Sequence, residues 1–156
     1  DELLQYENIQ FVLLGTGDYK YEEWFHGLKW RFPTKVSVNT AFNNELAHQI
    51  YAASSMFLMP SRYEPCGIGQ MIALRYGTIP IVHAIGGLRD TVVPYDRYKN
   101  SGNGFVFNNC NAHELLFSIK RALEKYSDIT LRRRIIENAM LSDFSWSNSG
   151  KFRFTK

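Results

Sequence analysis

The stretch from Met56 to Gly77 brings a carboxylate close to two glycines, an arrangement that could bind an anion or a sugar. Glu64 follows a short apolar run that Pro60 ends, and a predicted helix begins at Gly67. The first backbone N–H groups of a helix have no partner within it, and with the helix dipole they favour phosphate oxygens or sugar hydroxyls. The pattern predicts a polar ligand site containing Glu64, Gly67 and Gly69, although a solvated acid beside ordinary turn glycines would show the same spacing.

A second cluster of small and polar residues, Gly15-Thr16-Gly17-Asp18, comes directly after the apolar run from Ile9 to Leu14. A turn of this composition between a strand and a helix lets a ligand approach the backbone closely. The cluster lacks the third glycine of the dinucleotide-binding fingerprint, and this disfavours a Rossmann-type oxidoreductase.

Apolar runs and segments with helical periodicity alternate along the chain. The predicted strands are Ile9–Leu14, Val36–Val38, Met56–Met59, Ile79–Val82 and Gly104–Phe107. The predicted helices are Tyr19–Lys29, Asn43 or Asn44 to Ala53, Gly67–Tyr76, Asn111–Tyr126 and Ile129–Met140. This alternation predicts an α/β fold with a doubly wound, Rossmann-like parallel sheet. Open sheets of this kind bind ligands at the carboxyl ends of their strands, which is where both clusters fall.

The first long helix carries an aromatic stripe, in which Tyr21, Trp24, Phe25 and Leu28 repeat at helical spacing. We expect this stripe to face the core rather than a cofactor.

Composition excludes several classes of function. The 156 residues carry a formal net charge of +3, and the longest basic run is Arg132 to Arg134, so nucleic acid is not expected as a partner. Cys66 and Cys110 form neither a disulfide framework nor a zinc pattern. No signal peptide or long apolar span appears, which predicts a soluble cytosolic protein, or a plastid equivalent, without a membrane partner. No Asp-x-Asp motif is visible, so no catalytic metal is expected, and no cofactor is expected either.

The amino-acid sequence of the Glu64 stretch resembles that of a known family. The segment PSRYEPCGIGQMIALRYGTIPIV from Pro60, followed by GGLRDTV from Gly86, is similar to the donor-site signature of bacterial glycogen synthases and plant starch synthases. These are ADP-glucose-dependent retaining enzymes of glycosyltransferase family five, with the two-domain GT-B fold. The resemblance extends from Ile9 to Trp146. It implies that residues 1–147 are a partial carboxy-terminal, nucleotide-sugar-binding domain, and that residues 148–156 are a truncated tail.

The resemblance also implies an activity and a set of site residues. The whole enzyme would transfer glucose from ADP-glucose to the non-reducing end of an α-1,4-glucan, which would bind through an absent amino-terminal domain. Glu64 would be catalytic, contacting the hydroxyls of the sugar. The donor-binding residues would be Gly15, Thr16, Gly17, Asp18, Phe42, Cys66, Gly67, Ile68 and Gly69. Within this set Phe42 takes the position of an aromatic ring that packs against adenine, although it could instead pack onto the following helix.

The chain departs from the family pattern at several points. The family usually has a basic residue where His83 stands and threonine where Ile85 stands, so polar contacts from that turn are in doubt. Ile72 takes the position of a second glutamate found in family four, which favours family five. The family places one more strand and an R-x4-K motif ahead of residue 1, and without that strand the strands around Leu13 and Leu58 would lack a neighbour. The isolated chain is therefore predicted to be inactive. A non-catalytic module that binds a nucleotide sugar or a glucan remains the alternative.

Overall fold

The computed structural model describes residues 1–145, which form short parallel strands alternating with helices. The strands are β1 (Phe11–Leu14), β2 (Val36–Asn39), β3 (Met56–Met59), β4 (Ile79–His83) and β5 (Phe105–Phe107). The helices are α1 (Glu2–Tyr6), α2 (Tyr19–Arg31), α3 (Asn44–Ala53), α4 (Gly69–Arg75), α5 (Gly86–Thr91), α6 (Ala112–Ser127) and α7 (Ile129–Met140). None of the described helices is long and apolar enough to cross a membrane.

The strands form two parallel sheets. β1 pairs with β2, with Phe11 opposite Val36, and β4 lies between β3 and β5, with Ile81 opposite Leu58 on one side and Phe105 on the other. Among the described residues β4 is bonded on both sides, whereas β1, β2, β3 and β5 are each bonded to a single strand. The chain divides into two compact units within α3, residues 1–50 and the part from Tyr51 onward.

The first unit has a small core in which α2 covers the two-stranded sheet. Leu4, Leu28, Val36 and Val38 are buried, and Phe25 packs against them. The prediction of an aromatic stripe facing the core is wrong for Tyr21 and Trp24, which are 61% and 51% exposed. Neighbouring strands lie only about 5 Å apart, so two strands cover a narrow stripe of a helix rather than a broad face.

The second unit is organised around β4, all five residues of which are buried. Ile81 and Val82 are 0% exposed, and helices α4, α6 and α7 supply the buried residues Leu74, Ala122 and Ile135. An apolar run such as β3 is typical of a strand buried on both faces, yet all four of its residues are half-buried, because this strand lies at the edge of its sheet in the described part.

Two helices that begin near glycines differ from the prediction, and several other strand and helix ends differ by one or two residues. The helix predicted from Gly67 begins at Gly69, because Gly67 has φ +69°, in the left-handed region that ends or precedes a right-handed helix. Helix α5 was not predicted, because two glycines at its start are unfavourable in a helix. The predicted tail, residues 148–156, lies outside the described residues, and the division into domains stays a prediction.

Replacing Ile81 by alanine should lower the free energy of unfolding by about 2–5 kcal/mol, because this residue is 0% exposed at the centre of the three-stranded sheet. Ile129, 59% exposed at the start of α7, is the matched control. For Ile129→Ala we expect a change within about 0.5 kcal/mol. Urea denaturation followed by circular dichroism measures both, and equal losses would contradict this account of the core.

Candidate functional site

The turn that carries Glu64 connects β3 to α4. The side chain of Glu64 is half-buried, while Cys66 and Ile68 further along the turn are exposed. Within residues 1–145 the carboxylate of Glu64 has no hydrogen-bond or ion-pair partner, so its oxygens are available to a ligand. Helix α4 begins beside it with Ile68 as N-cap, and no side chain caps the helix there. Among the described residues, N–H groups without a partner at the start of α4 therefore lie on the same turn as the unpaired carboxylate of Glu64.

The backbone of this turn packs directly against a pair of glycines. The carbonyl oxygen of Glu64 accepts a hydrogen bond from the N–H of Gly87 at 3.3 Å. A Cβ atom on Gly86 would overlap the carbonyl of Glu64, and one on Gly87 would overlap the carbonyl of Cys66. The two glycines thus permit an approach that any side chain would block.

Gln70 holds the same turn from inside the protein. It is 0% exposed, and its Nε2 donates to the carbonyl oxygen of Gly67 at 2.9 Å and to Oγ1 of Thr91 at 3.0 Å. Oγ1 of Thr91 in turn donates to the carbonyl oxygen of Gly87 at 2.7 Å. These bonds connect the turn after β3 to helix α5. Gln70 was missed in the sequence, where the signal was an amide side chain one residue after Gly69 on a helix that is otherwise largely apolar.

His83 is turned into the protein. It is 8% exposed, with Nδ1 2.8 Å from the carbonyl oxygen of Ser61 and Nε2 3.1 Å from that of Asn108. A neutral imidazole donates one hydrogen bond and an imidazolium two, so His83 ties at least one of these loops to β4. Both ring nitrogens of His83 therefore face backbone carbonyl oxygens. The side chain of Ile85, two residues later, packs against the buried cluster of Val82, Leu88 and Val92.

The Gly15–Asp18 turn lies in the first unit, between β1 and α2. Asp18 caps α2 by accepting from the N–H of Lys20 at 2.9 Å, and Oε1 of Glu22 accepts from the N–H of Gly17 at 2.8 Å. A cavity of about 190 Å³ opens at this turn, lined by Gly15, Thr16, Gly17, Tyr21 and Glu22 among others. The carboxylates of Asp18 and Glu22 therefore stabilise the turn, while its backbone lines a space for a ligand.

Phe42 precedes α3 and is 94% exposed. This exposure contradicts the alternative in which the ring packs onto the following helix. Asn43, rather than Asn44, caps α3, because its Oδ1 accepts from the N–H of Leu46 at 2.9 Å. The ring of Phe42 is thus free to stack on a ligand. The roles of Phe42 and of the Gly15–Asp18 turn in binding the donor stay predictions.

Comparison with known proteins identifies the family. The profile described as "Glycosyl transferases group 1" matches residues 1–141, which is nearly the whole chain. The chain belongs to this family. The glycogen synthase of Clostridium perfringens is 55% identical over 151 residues, and that of Clostridioides difficile is 52% identical over 148 residues. These alignments cover 97% and 95% of this chain but 31% of each relative, so the chain spans about a third of their length.

Solved structures agree with this assignment. The catalytic domain of starch synthase IV from Arabidopsis thaliana, bound to ADP and acarbose, superposes with a TM-score of 0.82 at 37% identity, covering 92% of this chain and 31% of that one. Sucrose-phosphate synthase from Thermosynechococcus elongatus has a TM-score of 0.67 at 24% identity, covers 97% of this chain and 39% of that one, and shows the fold alone. The resemblance to glycogen and starch synthases is confirmed, as is the α/β fold of one Rossmann-like half of a GT-B glycosyltransferase.

These comparisons leave the roles of single residues as predictions. In the part of the chain that the structure describes, no group of three or more His, Cys, Asp or Glu side chains could hold a metal ion. The groups that the described residues offer at the candidate site are the Glu64 carboxylate, helix N–H groups and a glycine-rich backbone.

Replacing Gln70 by methionine, which has a similar volume but no amide, should loosen the Glu64 turn. The substitution leaves the carbonyl of Gly67 without its donor and should lower the free energy of unfolding by about 1–3 kcal/mol. Hydrogen exchange of the Gly87 amide, which donates to the Glu64 carbonyl, should accelerate. Gln49→Met, on an exposed position of α3, is the matched control. Unchanged exchange at Gly87 in Gln70→Met would refute the role of this amide.

Proposed function

We propose that this chain is the donor-binding half of a cytoplasmic retaining glucosyltransferase of glycogen or starch synthesis. The full protein would transfer glucose from ADP-glucose to the non-reducing end of an α-1,4-glucan, which it would bind through its amino-terminal domain. The observation that carries the proposal is the partner-free carboxylate of Glu64, on a turn fixed by buried hydrogen bonds, in a chain 55% identical to a glycogen synthase. The ADP bound to the similar starch synthase supports the choice of nucleotide.

Glucosyl transfer places opposite charges on the two parts of the donor. Positive charge develops at the anomeric carbon in an oxocarbenium-like transition state, and negative charge develops on the departing diphosphate. Glu64 would accept hydrogen bonds from sugar hydroxyls and stabilise the positive charge. The N–H groups of Gly67, Ile68 and Gly69 would hold sugar hydroxyls or phosphate oxygens at the start of α4.

A preorganised carboxylate stabilises developing charge without moving, so its position must be fixed before the reaction. The contacts of the turn supply this rigidity, because Gln70 fixes the carbonyl of Gly67 while Gly87 fixes that of Glu64. The side chain of Glu64 itself stays unbonded within the described residues and free for the sugar.

The first unit would bind the nucleoside. The exposed ring of Phe42 offers an apolar face on which adenine could stack, and the cavity at the Gly15–Asp18 turn gives the donor access to backbone atoms. Cys66, exposed on the Glu64 turn, would contact the donor as a small neighbour of the sugar.

Replacing Glu64 by glutamine in the full-length polypeptide should lower kcat by about a hundredfold or more, with little change in the affinity for ADP-glucose. The change preserves size and removes charge that is needed in the transition state. Steady-state transfer of glucose from ADP-glucose to glycogen measures kcat, and calorimetric titration measures donor binding.

Glu137→Gln is the control for this experiment, because Glu137 is an exposed carboxylate on α7 with a surface ion pair to Arg134. Wild-type kcat in Glu64→Gln would contradict the catalytic role of Glu64. A full-length wild-type polypeptide that binds ADP-glucose without transferring glucose would support the alternative, a non-catalytic binding module.

Replacing Phe42 by alanine should weaken ADP-glucose binding by about tenfold, because stacking of a base on an aromatic ring contributes about 1–3 kcal/mol. The ring is 94% exposed, so the free energy of unfolding should change by less than about 0.5 kcal/mol. Phe42→Tyr keeps the stacking face and should bind with wild-type affinity. Equal donor affinity in all three proteins, measured by calorimetry, would exclude Phe42 from the nucleoside site.

A further inference from the structure

His83 is the last residue of β4, and contacts on three sides fix its imidazole ring. Nδ1 lies 2.8 Å from the carbonyl oxygen of Ser61, and Nε2 lies 3.1 Å from that of Asn108. The ring also stacks on the ring of Phe107, with 5.5 Å between the two centroids. His83 is 8% exposed, so water offers few alternative partners to its nitrogens.

Both hydrogen-bond partners of the ring are carbonyl oxygens, which only accept. A neutral imidazole has a single N–H, so in either tautomer its second nitrogen would point a lone pair at a carbonyl oxygen. Turning the ring over would place carbon atoms at these two positions. An imidazolium has an N–H on each nitrogen and donates to both carbonyls. Because buried polar groups are nearly always paired, the geometry at His83 favours the imidazolium.

A carboxylate close to the ring also favours a positive charge on it. Oε2 of Glu114, on α6, accepts from the backbone N–H groups of Asn108 at 3.1 Å and Asn109 at 2.9 Å. Hydrogen bonds from the backbone and the side chain of Asn109 lower the pKa of the Glu114 carboxyl, and the charge of His83 lowers it further. The negative charge of Glu114 therefore lies beside the same Asn108 that faces His83, where it stabilises an imidazolium.

The remaining charged or titratable groups that flank these contacts are mostly exposed. All except the half-buried Glu64 and Arg121 lie at the surface: Arg62, Glu64, Arg89, Cys110, His113 and Arg121. The guanidinium of Arg89 donates at 2.7 Å to the carbonyl oxygen of Ala84, next to His83, so its charge opposes a proton on the ring. Solvent screens this exposed charge more than it screens the half-buried Glu114. The face of Phe107 adds an attraction for a cation within about 6 Å.

The two loops that His83 joins determine where the Glu64 turn begins. Ser61 comes three residues before Glu64, whereas Gln70 and Gly87 hold the later part of the turn. His83 therefore fixes the side of the turn that these other contacts leave free.

The loop after β5 depends on hydrogen bonds for its position. It borders a cavity of about 330 Å³ beside α6, whose lining includes Phe107, Asn108 and Glu114. Side chains do not fill this space, so close packing alone does not hold the loop. Loss of the second proton of His83 would leave either Ser61 or Asn108 with a carbonyl oxygen facing a lone pair, and that loop would move away from the ring.

We propose that His83 is a positioning residue for glucosyl transfer, and that it acts as the imidazolium, which donates one hydrogen bond to each of the two loops. The inference rests on the proposed function, because Glu64 is the group that His83 positions. A rise in pH that removes the second ring proton should lower kcat and leave the affinity for ADP-glucose unchanged, since the ring contacts the turn and not the donor.

The first test is nuclear magnetic resonance of the full-length polypeptide with ¹⁵N in its histidine rings. The signals of His83 are identified by their loss in His83→Gln, and the exposed His113 is the internal reference. Spectra from about pH 5 to 9 cover the range in which histidine changes its charge. We expect protons on both ring nitrogens of His83 at the pH of maximal kcat.

Two variants connect this proton to transfer. Arginine is always charged and has several N–H donors, so the ratio of wild-type to His83→Arg kcat should fall as the second proton of His83 is lost. Glutamine is neutral, so His83→Gln should have a kcat about tenfold below that of wild type at low pH and equal to it at high pH. His113→Gln is the matched control and should follow the wild-type profile. Calorimetric titration should give all four proteins the same affinity for ADP-glucose.

Several outcomes would overturn the inference. Glucose transfer at its maximal rate with a single ring proton on His83 would do so and leave the proposed function intact. A ratio of wild-type to His83→Gln kcat that does not change with pH would show that the proton has no part in positioning. Weaker donor binding in His83→Gln would show that the residue acts on the donor instead. Absence of transfer by the wild type at every pH would contradict the proposed function itself, and the role of His83 in transfer with it.

Discussion

The close contact between the Glu64 turn and the Gly86–Gly87 pair is the constraint on which the candidate site depends. The carbonyl groups of Glu64 and Cys66 occupy the space that side chains at these two positions would fill. The contact brings the turn after β3 against the start of α5, although 22 residues separate Glu64 from Gly86. Gln70 and Thr91 then fix it with hydrogen bonds that water cannot reach easily. The turn is therefore held both by Gln70, on the helix that follows it, and by the Gly86–Gly87 pair at the start of α5.

Much of the fold could be predicted because apolar runs and helical periodicity report local structure directly. The limits of β3 and α7 agree with the sequence to the residue. The errors have tertiary causes. Tyr21 and Trp24 have helical spacing but no partner surface in a two-stranded sheet, and α5 forms around glycines because close packing outweighs their low helix propensity. Periodicity cannot show how wide the opposing surface is, nor which loop a glycine must approach.

The site was less predictable than the fold. Spacing alone indicated a ligand site at Glu64, Gly67 and Gly69, and the resemblance to glycogen and starch synthases supplied the proposed roles of these residues. Neither could show that Gln70 is 0% exposed and supports the turn, because a glutamine near the start of a helix is usually solvated. His83 looked in the sequence like a weaker substitute for a basic ligand-binding residue. Its two ring nitrogens instead face backbone carbonyls, a role that depends on loops 22 and 25 residues away.

The contacts of His83 connect the loop before Glu64 to the loop after β5. Its Nδ1 faces Ser61, three residues before Glu64, and its Nε2 faces Asn108, which lines the cavity beside α6. β3, β4 and β5 run parallel, so the residues that follow them lie at one edge of the sheet, and His83 spans that edge at the end of the central strand. A displacement of the loop after β5 would thus move His83 and, through it, the start of the turn that carries Glu64. Packed interiors transmit such shifts because they have little free volume to absorb them. Across the second unit, the carboxylate at one strand end and the cavity at another share a buried imidazole as their common support.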